Sequence, residues 1–453
     1  MNRFYIILII LINISKLLFL IATFYKLNKK FKKIEHNLLF YFLIYNTFLY
    51  GLVVNIFRLI SDAKILADYQ VNIEEVFIVE IIELFSTIIF ITIIYLFLTS
   101  KFNKHYKEKT NINSTFFILA VINILCIFNF FISDYYNQLL FGEVFKYLSA
   151  PSAVILSFYS FYYKRFRYLF ISLVHLGLVL FLIFSTGVRG PIVGIVLIIF
   201  FLYINHYSYK KALKKIPILI IPIILLILLN KEYSKLKTAF TTEYLSNPQA
   251  YQSILDIGEY VINYYTNDSS DYIEGNESSG FDEIEFRLGA RSMYSVGFLR
   301  FTKNWGYTYF TPIVNTFYVF APRAFFNSDK PYPDSYNGEE YGMGMYVCVD
   351  EVDHKIYMTD FYASSHYYWQ FGLIGVIFFS IISTFYIMFI FLLSRKMHSI
   401  IKLLFIIFAL KPFYFIPQFT FSDIILMLVT KIIPLLLLLT LLNYFTKFKI
   451  RNN

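Results

Sequence analysis

Two arginines one helical turn apart, Arg287 and Arg291, fall with Tyr294 at i, i+4 and i+7 in a stretch patterned for a helix over 286–303. Guanidinium groups so spaced suit a diphosphate or an acidic sugar, because each planar fork donates two parallel N–H bonds to an oxyanion. Pairing with the preceding acids Asp282, Glu283 and Glu285 is the alternative. A second candidate is the turn Ser185-Thr-Gly-Val-Arg-Gly-Pro191. Pro191 fits the first turn of a helix, Gly187 and Gly190 let the backbone approach a ligand, and Arg189 stands beside free N–H groups. A tight hairpin whose arginine reaches to lipid headgroups accounts for the same residues.

His366 lies in Ser364-Ser-His-Tyr-Tyr-Trp-Gln-Phe-Gly372, close in sequence to Asp360. An imidazole titrates near neutrality, so at a membrane-surface cleft it could take a proton from a hydroxyl or hydrogen-bond a sugar; a plain interface residue is the alternative. Arg323 follows Pro322, and Lys330 precedes Pro331; both have interfacial anchoring as their bland role. Asp350, Asp353 and His354 have spacing that suits a divalent cation, but solvated acidic loops share that composition and no metal site is assigned. No phosphate-binding loop, dinucleotide fingerprint, zinc-protease motif or cysteine cluster occurs, which removes the usual equipment for ATP hydrolysis, dinucleotide redox and zinc proteolysis.

The elements that must position these residues are membrane spans. The chain has 58% hydrophobic, 21% aromatic and only 15% charged residues, with mean hydropathy +0.59, outside the soluble globular range. A hydrocarbon core of about 30 Å takes about 20 apolar residues per helix. About eleven such runs appear, near 4–25, 38–60, 77–99, 115–133, 144–163, 168–186, 191–206, 216–230, 367–393, 403–421 and 424–446. Every second connection is basic, from Lys26–Lys33 to Lys447–Arg451, and these six clusters hold 22 of the 40 cations. The positive-inside rule then puts the N-terminus outside and the C-terminus in the cytoplasm, and the net charge of +10 needs no nucleic acid. Arg58, His175, Lys411 and Lys431 fall in or near spans and read as polar bundle interior. Cys126 in an apolar run and Cys348 in a polar one do not suit a structural disulfide.

An all-α polytopic protein follows, with an N-terminal bundle of eight spans (1–230), a large external loop (231–366) and three C-terminal helices (367–453). The loop holds 19 acids against 10 Lys or Arg. It is read as one or two helices over 231–265, a solvated acidic stretch over 267–285, the helix carrying Arg287 and Arg291, a re-entrant or interfacial aromatic segment over 305–326, and a Pro/Gly-rich loop over 327–360.

Three blocks in order resemble Wzy-type O-antigen polymerases, which join oligosaccharide repeat units in bacterial surface polysaccharide synthesis. They are the 185–191 turn, Trp305-Gly-Tyr-Thr-Tyr-Phe leading to Ala321-Pro-Arg323 and Asp329-Lys-Pro331, and Ser364-Ser-His-Tyr-Tyr-Trp-Gln-Phe-Gly-Leu-Ile-Gly375. The third block departs from a common form of the family that carries Glu before Tyr, with His366 in that neighbourhood.

The resemblance implies a GT-C-like glycosyltransferase of the inner membrane, acting at the periplasmic face. It would move glycan from an undecaprenyl diphosphate donor to a hydroxyl of another lipid-linked repeat unit, with no nucleotide sugar, metal or cofactor. Arg189, Arg323 and Arg291 would bind the diphosphate; Arg287 and Lys330 would orient it or bind sugar. His366 or Asp360 would activate the acceptor, and Trp305 and Tyr307 would stack on glycan. Expected partners are the lipid-linked oligosaccharide, membrane lipid and a chain-length regulator protein. An O-antigen ligase-type transferase is the alternative; a flippase ranks lower because no internal repeat is visible.

Overall fold

The computed structural model describes residues 2–31, 34–61, 71–99, 112–132, 140–186, 280–310, 362–395, 397–410 and 421–451, with Leu66, parts of 195–206, and 313–314, 336–337 and 355–356. These are almost wholly helical. In chain order they form α1 (Asn2–Phe31), α2 (Ile34–Asn46), a π-helical turn (Thr47–Val53), α3 (Val54–Ile60), α4 (Ile73–Thr99), α5 (Ile112–Ile132), α6 (Leu140–Tyr162) and α7 (Phe166–Thr186). After these come α8 (Gly280–Trp305), α9 (Ala363–Ser394), α10 (Ser399–Ala409), α11 (Phe421–Met427), a second π-helical turn (Leu428–Ile432) and α12 (Ile433–Arg451).

Six helices among the described residues are long and apolar enough to cross a bilayer: Arg3–Asn28, Asn37–Ile60, Ile73–Thr99, Ile112–Phe130, Ala363–Ser394 and Ile424–Tyr444. The chain is an all-α multi-pass membrane protein. Predicted spans five and six are the helices α6 and α7, whereas span eight lies outside the described residues and about half of span seven does. Of span ten, Ser399–Ala409 is helical and turns at Leu410. Residues 231–265 also lie outside the described residues.

The chain divides into two compact units, each gathered from three separate stretches. One comprises Met1–His105, Glu277–Leu393 and Leu410–Met427; the other comprises Tyr106–Asn276, Ser394–Ala409 and Leu428–Asn453. The linear segments 1–230, 231–366 and 367–453 are therefore shared between units. In the second unit α5, α6 and α7 pack together around His175, whose Nδ1 lies 2.6 Å from Asn123 Oδ1 and whose Nε2 lies 2.7 Å from Ser149 Oγ. Lys431 sits 3.6 Å over the Tyr147 ring. Polar residues here join helices that the hydrophobic effect cannot sort, since lipid is as apolar as leucine. Cys126 in this unit is buried and free.

In the first unit α1 shows how polarity is turned inward. Ile6, Ile9, Asn13, Lys16, Leu20, Thr23 and Leu27 are buried, while Phe4, Ile7, Leu11, Ile14, Leu18, Ile21 and Tyr25 face outward. Both series step by three or four residues, so each follows one helix face. Helix α4 opens on a capping box: Asn72 Oδ1 accepts the Glu74 N–H at 3.1 Å and Glu75 Oε2 accepts the Asn72 N–H at 3.3 Å. The same Glu75 takes three short bonds from Arg300, which tie α8 to the start of α4. Helix α8 begins at Gly280, so the end of the stretch expected to be solvated, residues 280–285, is helical. The expected 327–360 loop contains a two-residue antiparallel pair, Tyr336–Asn337 with Lys355–Ile356.

Helix α9 departs furthest from the sequence reading, which placed one span over 367–393. Its backbone leaves helical geometry at Phe371 (φ −141°, ψ 19°) and Gly372 (φ 64°, ψ −147°). The chain reverses there. Tyr367 stacks on Phe379 with ring centroids 5.0 Å apart, and its hydroxyl lies 2.8 Å from Ser383 Oγ, although a straight helix would separate 367 from 383 by about 24 Å. Residues 363–370 thus form a short arm antiparallel to 373–394, and the latter alone, at about 33 Å, is long enough to span. The break frees carbonyls of the arm, and backbone N–H groups from the segment after α8 fill them: Thr308 donates to Trp369 O at 3.1 Å and Tyr309 to Gln370 O at 3.0 Å.

Only glycine suits position 372, for two independent reasons. Its φ is positive, and an added Cβ would fall 2.8 Å from the Tyr307 hydroxyl. Gly372→Ala is expected to destabilise the protein by about 1–3 kcal/mol. Thermal unfolding in detergent micelles checks this, with Tyr307→Phe in the same chain expected to recover part of the loss.

Candidate functional site

Several charged and amide side chains of the first unit are buried instead of pointing to its surface. They collect in one buried layer between α1, α3, α4, α8 and the α9 arm. Glu80 and Glu83 project from one face of α4, and Asn13 and Lys16 from one face of α1, at the same i, i+3 spacing. Lys16 Nζ lies 3.2 Å from Glu83 Oε1, and Asn13 Nδ2 donates to Glu80 Oε2 at 3.2 Å. Asn13 fits because Gly51 of the π-helical turn lies against it, where a Cβ would collide with its amide oxygen.

The two carboxylates then receive the start of the α9 arm. Ser364 Oγ donates to Glu83 Oε2 at 2.6 Å and the Tyr362 hydroxyl to Glu80 Oε1 at 3.0 Å. Counting along α4, these acids lie about 10 and 15 Å from its first residue, so the arm starts deep in the bundle and climbs back to the turn at 371–372. Irregular backbone at that depth is tolerated where protein surrounds it. Tyr362 N–H also donates to Ser295 Oγ of α8 at 2.8 Å.

Helix α8 brings the arginine. All residues from Arg291 to Phe298 are buried, including Ser292 and Ser295. The Arg291 guanidinium stacks 3.4 Å over the Tyr50 ring of the π-helical turn and donates to Asn46 Oδ1 of α2 at 3.4 Å. Next to it, Arg58 of α3 donates to Ser292 Oγ at 2.8 Å and to Asn55 Oδ1 at 3.1 Å. Hydrogen bonds therefore run from Lys16 and Asn13 through the two acids to the start of the arm and on to Ser295 of α8, and one turn back on α8 Ser292 accepts from Arg58.

His366 is in the middle of the arm and fully buried, so neither a surface cleft nor a plain interface position describes it. Phe298 meets its ring edge-on at 5.5 Å, Trp369 lies at 5.2 Å, and Gln370 Nε2 lies 3.1 Å from Nδ1. Tyr307 is 40% exposed at the hairpin turn and contacts Tyr309 and Tyr368. Arg287 and Trp305 lie on α8, but nothing is described of their side chains; Arg189, Arg323, Lys330 and Asp360 lie outside the described residues. Of the nine residues expected in the site, the structure brings Arg291 and His366 into one layer, with Tyr307 at its edge. Among the described residues no group of three metal-ligating side chains occurs.

The sequence reading named Arg58 as polar interior and did not single out Asn13, Lys16, Glu80, Glu83, Tyr362 or Gln370. A signal existed in the matched i, i+3 polar pairs inside two otherwise apolar spans. Charge within a span is costly enough to mark function or pairing. Removing one partner of a buried ion pair costs about 3–5 kcal/mol, because the other charge is left stranded. Lys16→Met is expected to lower stability by that amount and Lys16→Met with Glu83→Gln to restore most of it, measured by denaturant unfolding in micelles. No protein-family model, curated protein or solved structure matches the chain.

Proposed function

We propose that the chain is a glycosyltransferase of the bacterial inner membrane that polymerises lipid-linked oligosaccharide repeat units, for O-antigen or capsule, with its site open to the periplasmic side. The observation that carries the reading is the buried layer in which Arg291 and Arg58 stand on neighbouring helices beside the His366 arm. The three ordered sequence blocks that resemble the Wzy-type polymerases add to it, since Arg291 and His366 fall in or between them.

The reaction breaks the bond from the donor's anomeric carbon to a diphosphate oxygen and forms one to an acceptor hydroxyl oxygen. Polyprenyl diphosphate leaves with the electron pair, and a base takes the hydroxyl proton. Fixed cations help most where charge builds on the leaving oxygen and water is scarce, which is the situation of two guanidinium groups among apolar helices. In this reading Arg291 and Arg58, joined by Arg189 and Arg323, receive the diphosphate; Arg287 and Lys330 orient it. Tyr307 and Trp305 offer aromatic faces for sugar. His366 and Asp360 are the proton-handling groups, and no cofactor or metal takes part. The GT-C-like architecture, the external N-terminus and the cytoplasmic C-terminus belong to the same proposal.

A gel of surface polysaccharide tests it. A deletion strain is expected to attach single repeat units to the surface lipid, and Arg291→Ala, present at normal level in the membrane, to cut longer chains by about 100-fold or more. A full ladder in the deletion strain would overturn the reading. Long polymer left on the carrier lipid would instead favour a ligase, and absence of any external repeat unit a flippase.

A further inference from the structure

We infer that Gln370 is a positioning residue that fixes His366 as a neutral ring with its proton on Nε2, so that His366 donates a hydrogen bond in the transfer instead of accepting the hydroxyl proton. Both side chains are fully buried, one turn apart on the α9 arm, with Gln370 Nε2 3.1 Å from His366 Nδ1. An amide NH2 only donates, so Nδ1 must be the accepting nitrogen, and a neutral imidazole that accepts at Nδ1 carries its hydrogen on Nε2.

The backbone that carries the two side chains is held in place from two directions. Gln370 ends the arm, and its backbone carbonyl accepts the Tyr309 N–H at 3.0 Å, so the hairpin turn fixes its main chain. At the other end of the arm the Glu83–Ser364 and Glu80–Tyr362 bonds fix the register of His366. Phe298 and Trp369 pack the imidazole edge and face, which leaves rotation of the ring costly. An Nε2–H suits an oxygen that gains negative charge, such as a diphosphate oxygen as the glycosidic bond breaks. The proton-accepting part, given above to His366 and Asp360 together, then falls to a group other than His366. This assignment rests on the polymerase reading for its use, though not for the tautomer itself.

The opposite amide orientation would set Oε1 against an Nδ1–H and leave a lone pair on Nε2, the form a base requires. Solid-state NMR of the full chain in lipid bilayers, with 15N-labelled histidine, separates the two; a His366→Gln sample identifies the signal by subtraction. Wild type is expected to carry its hydrogen on Nε2. Gln370→Glu, nearly isosteric with an acceptor-only carboxylate, is expected to place a proton on Nδ1, and Gln370→Met to show both tautomers. The charged groups of the surrounding elements are Lys16 on α1, Arg58 on α3, Glu80 and Glu83 on α4, and Arg291 on α8; all keep their own partners in these variants. An Nδ1–H ring in wild type, or one unchanged tautomer in all three proteins, would overturn the inference. With purified protein and a defined lipid-diphosphate-linked repeat unit, Gln370→Glu is expected to lower kcat about 100-fold with KM near the wild-type value. A loss in KM alone would count against positioning. If His366→Gln keeps full activity while the tautomer still follows residue 370, the use of His366 in polymerisation fails and its positioning by Gln370 stands.

Discussion

Glu80 and Glu83 are the anchor on which the first unit depends. A carboxylate inside a bilayer has no water to fall back on, so its partners must come from the protein, and their positions become fixed by that need. Here the partners come from three directions: Lys16 and Asn13 from α1, Thr87 from the next turn of α4, and Tyr362 and Ser364 from the arm of α9. Removing water makes each of these bonds stronger than it would be at a surface, and makes each omission more costly. The acids thereby determine where a re-entrant arm can begin.

That arm explains why a short helix can lie against the span that follows it. Its polar start is held by carboxylates, which also lie favourably at a helix N-terminus, and its end is closed by Thr308 and Tyr309. The cores on either side are apolar: Met293, Val296, Phe298 and Phe301 of α8 pack with Trp369, Ile6, Val76 and Val79, while Tyr367 joins Phe379, Val376 and Ile82. Helices with broken ladders at membrane depth recur where ligands bind, since they bring backbone ends and polar side chains into an apolar setting without leaving them unsatisfied. Arg58, Arg291 and His366 are brought into this setting by the same packing.

Much of this was legible along the chain and some was not. Composition and apolar runs gave the membrane class and the helices α1, α4 to α7 and α12, because a bilayer of fixed thickness imposes a length on anything that crosses it. The helix around Arg291 was legible from its spacing, but the contact of its guanidinium with Tyr50, far away in sequence, was not. The reversal at Phe371–Gly372 was hidden for a related reason. An apolar run with one glycine reads the same whether it continues or folds back, and the deciding contacts, Tyr367 to Phe379 and Ser383, are side-chain pairings that no periodicity encodes.

The sequence by itself determined that this protein lives in a membrane, roughly where its chain crosses, and which residue types for anion binding and proton transfer it possesses. Those properties follow from local composition, and lipid reads composition segment by segment. Only the tertiary structure decided that Asn13 and Lys16 meet Glu80 and Glu83, that the Arg291–Phe298 stretch of α8 is buried, and that His366 rides on a folded-back arm beside Gln370. Each of these is a pairing between distant stretches, chosen because a polar group without water must bond to whichever complementary group the packing of apolar faces brings within reach.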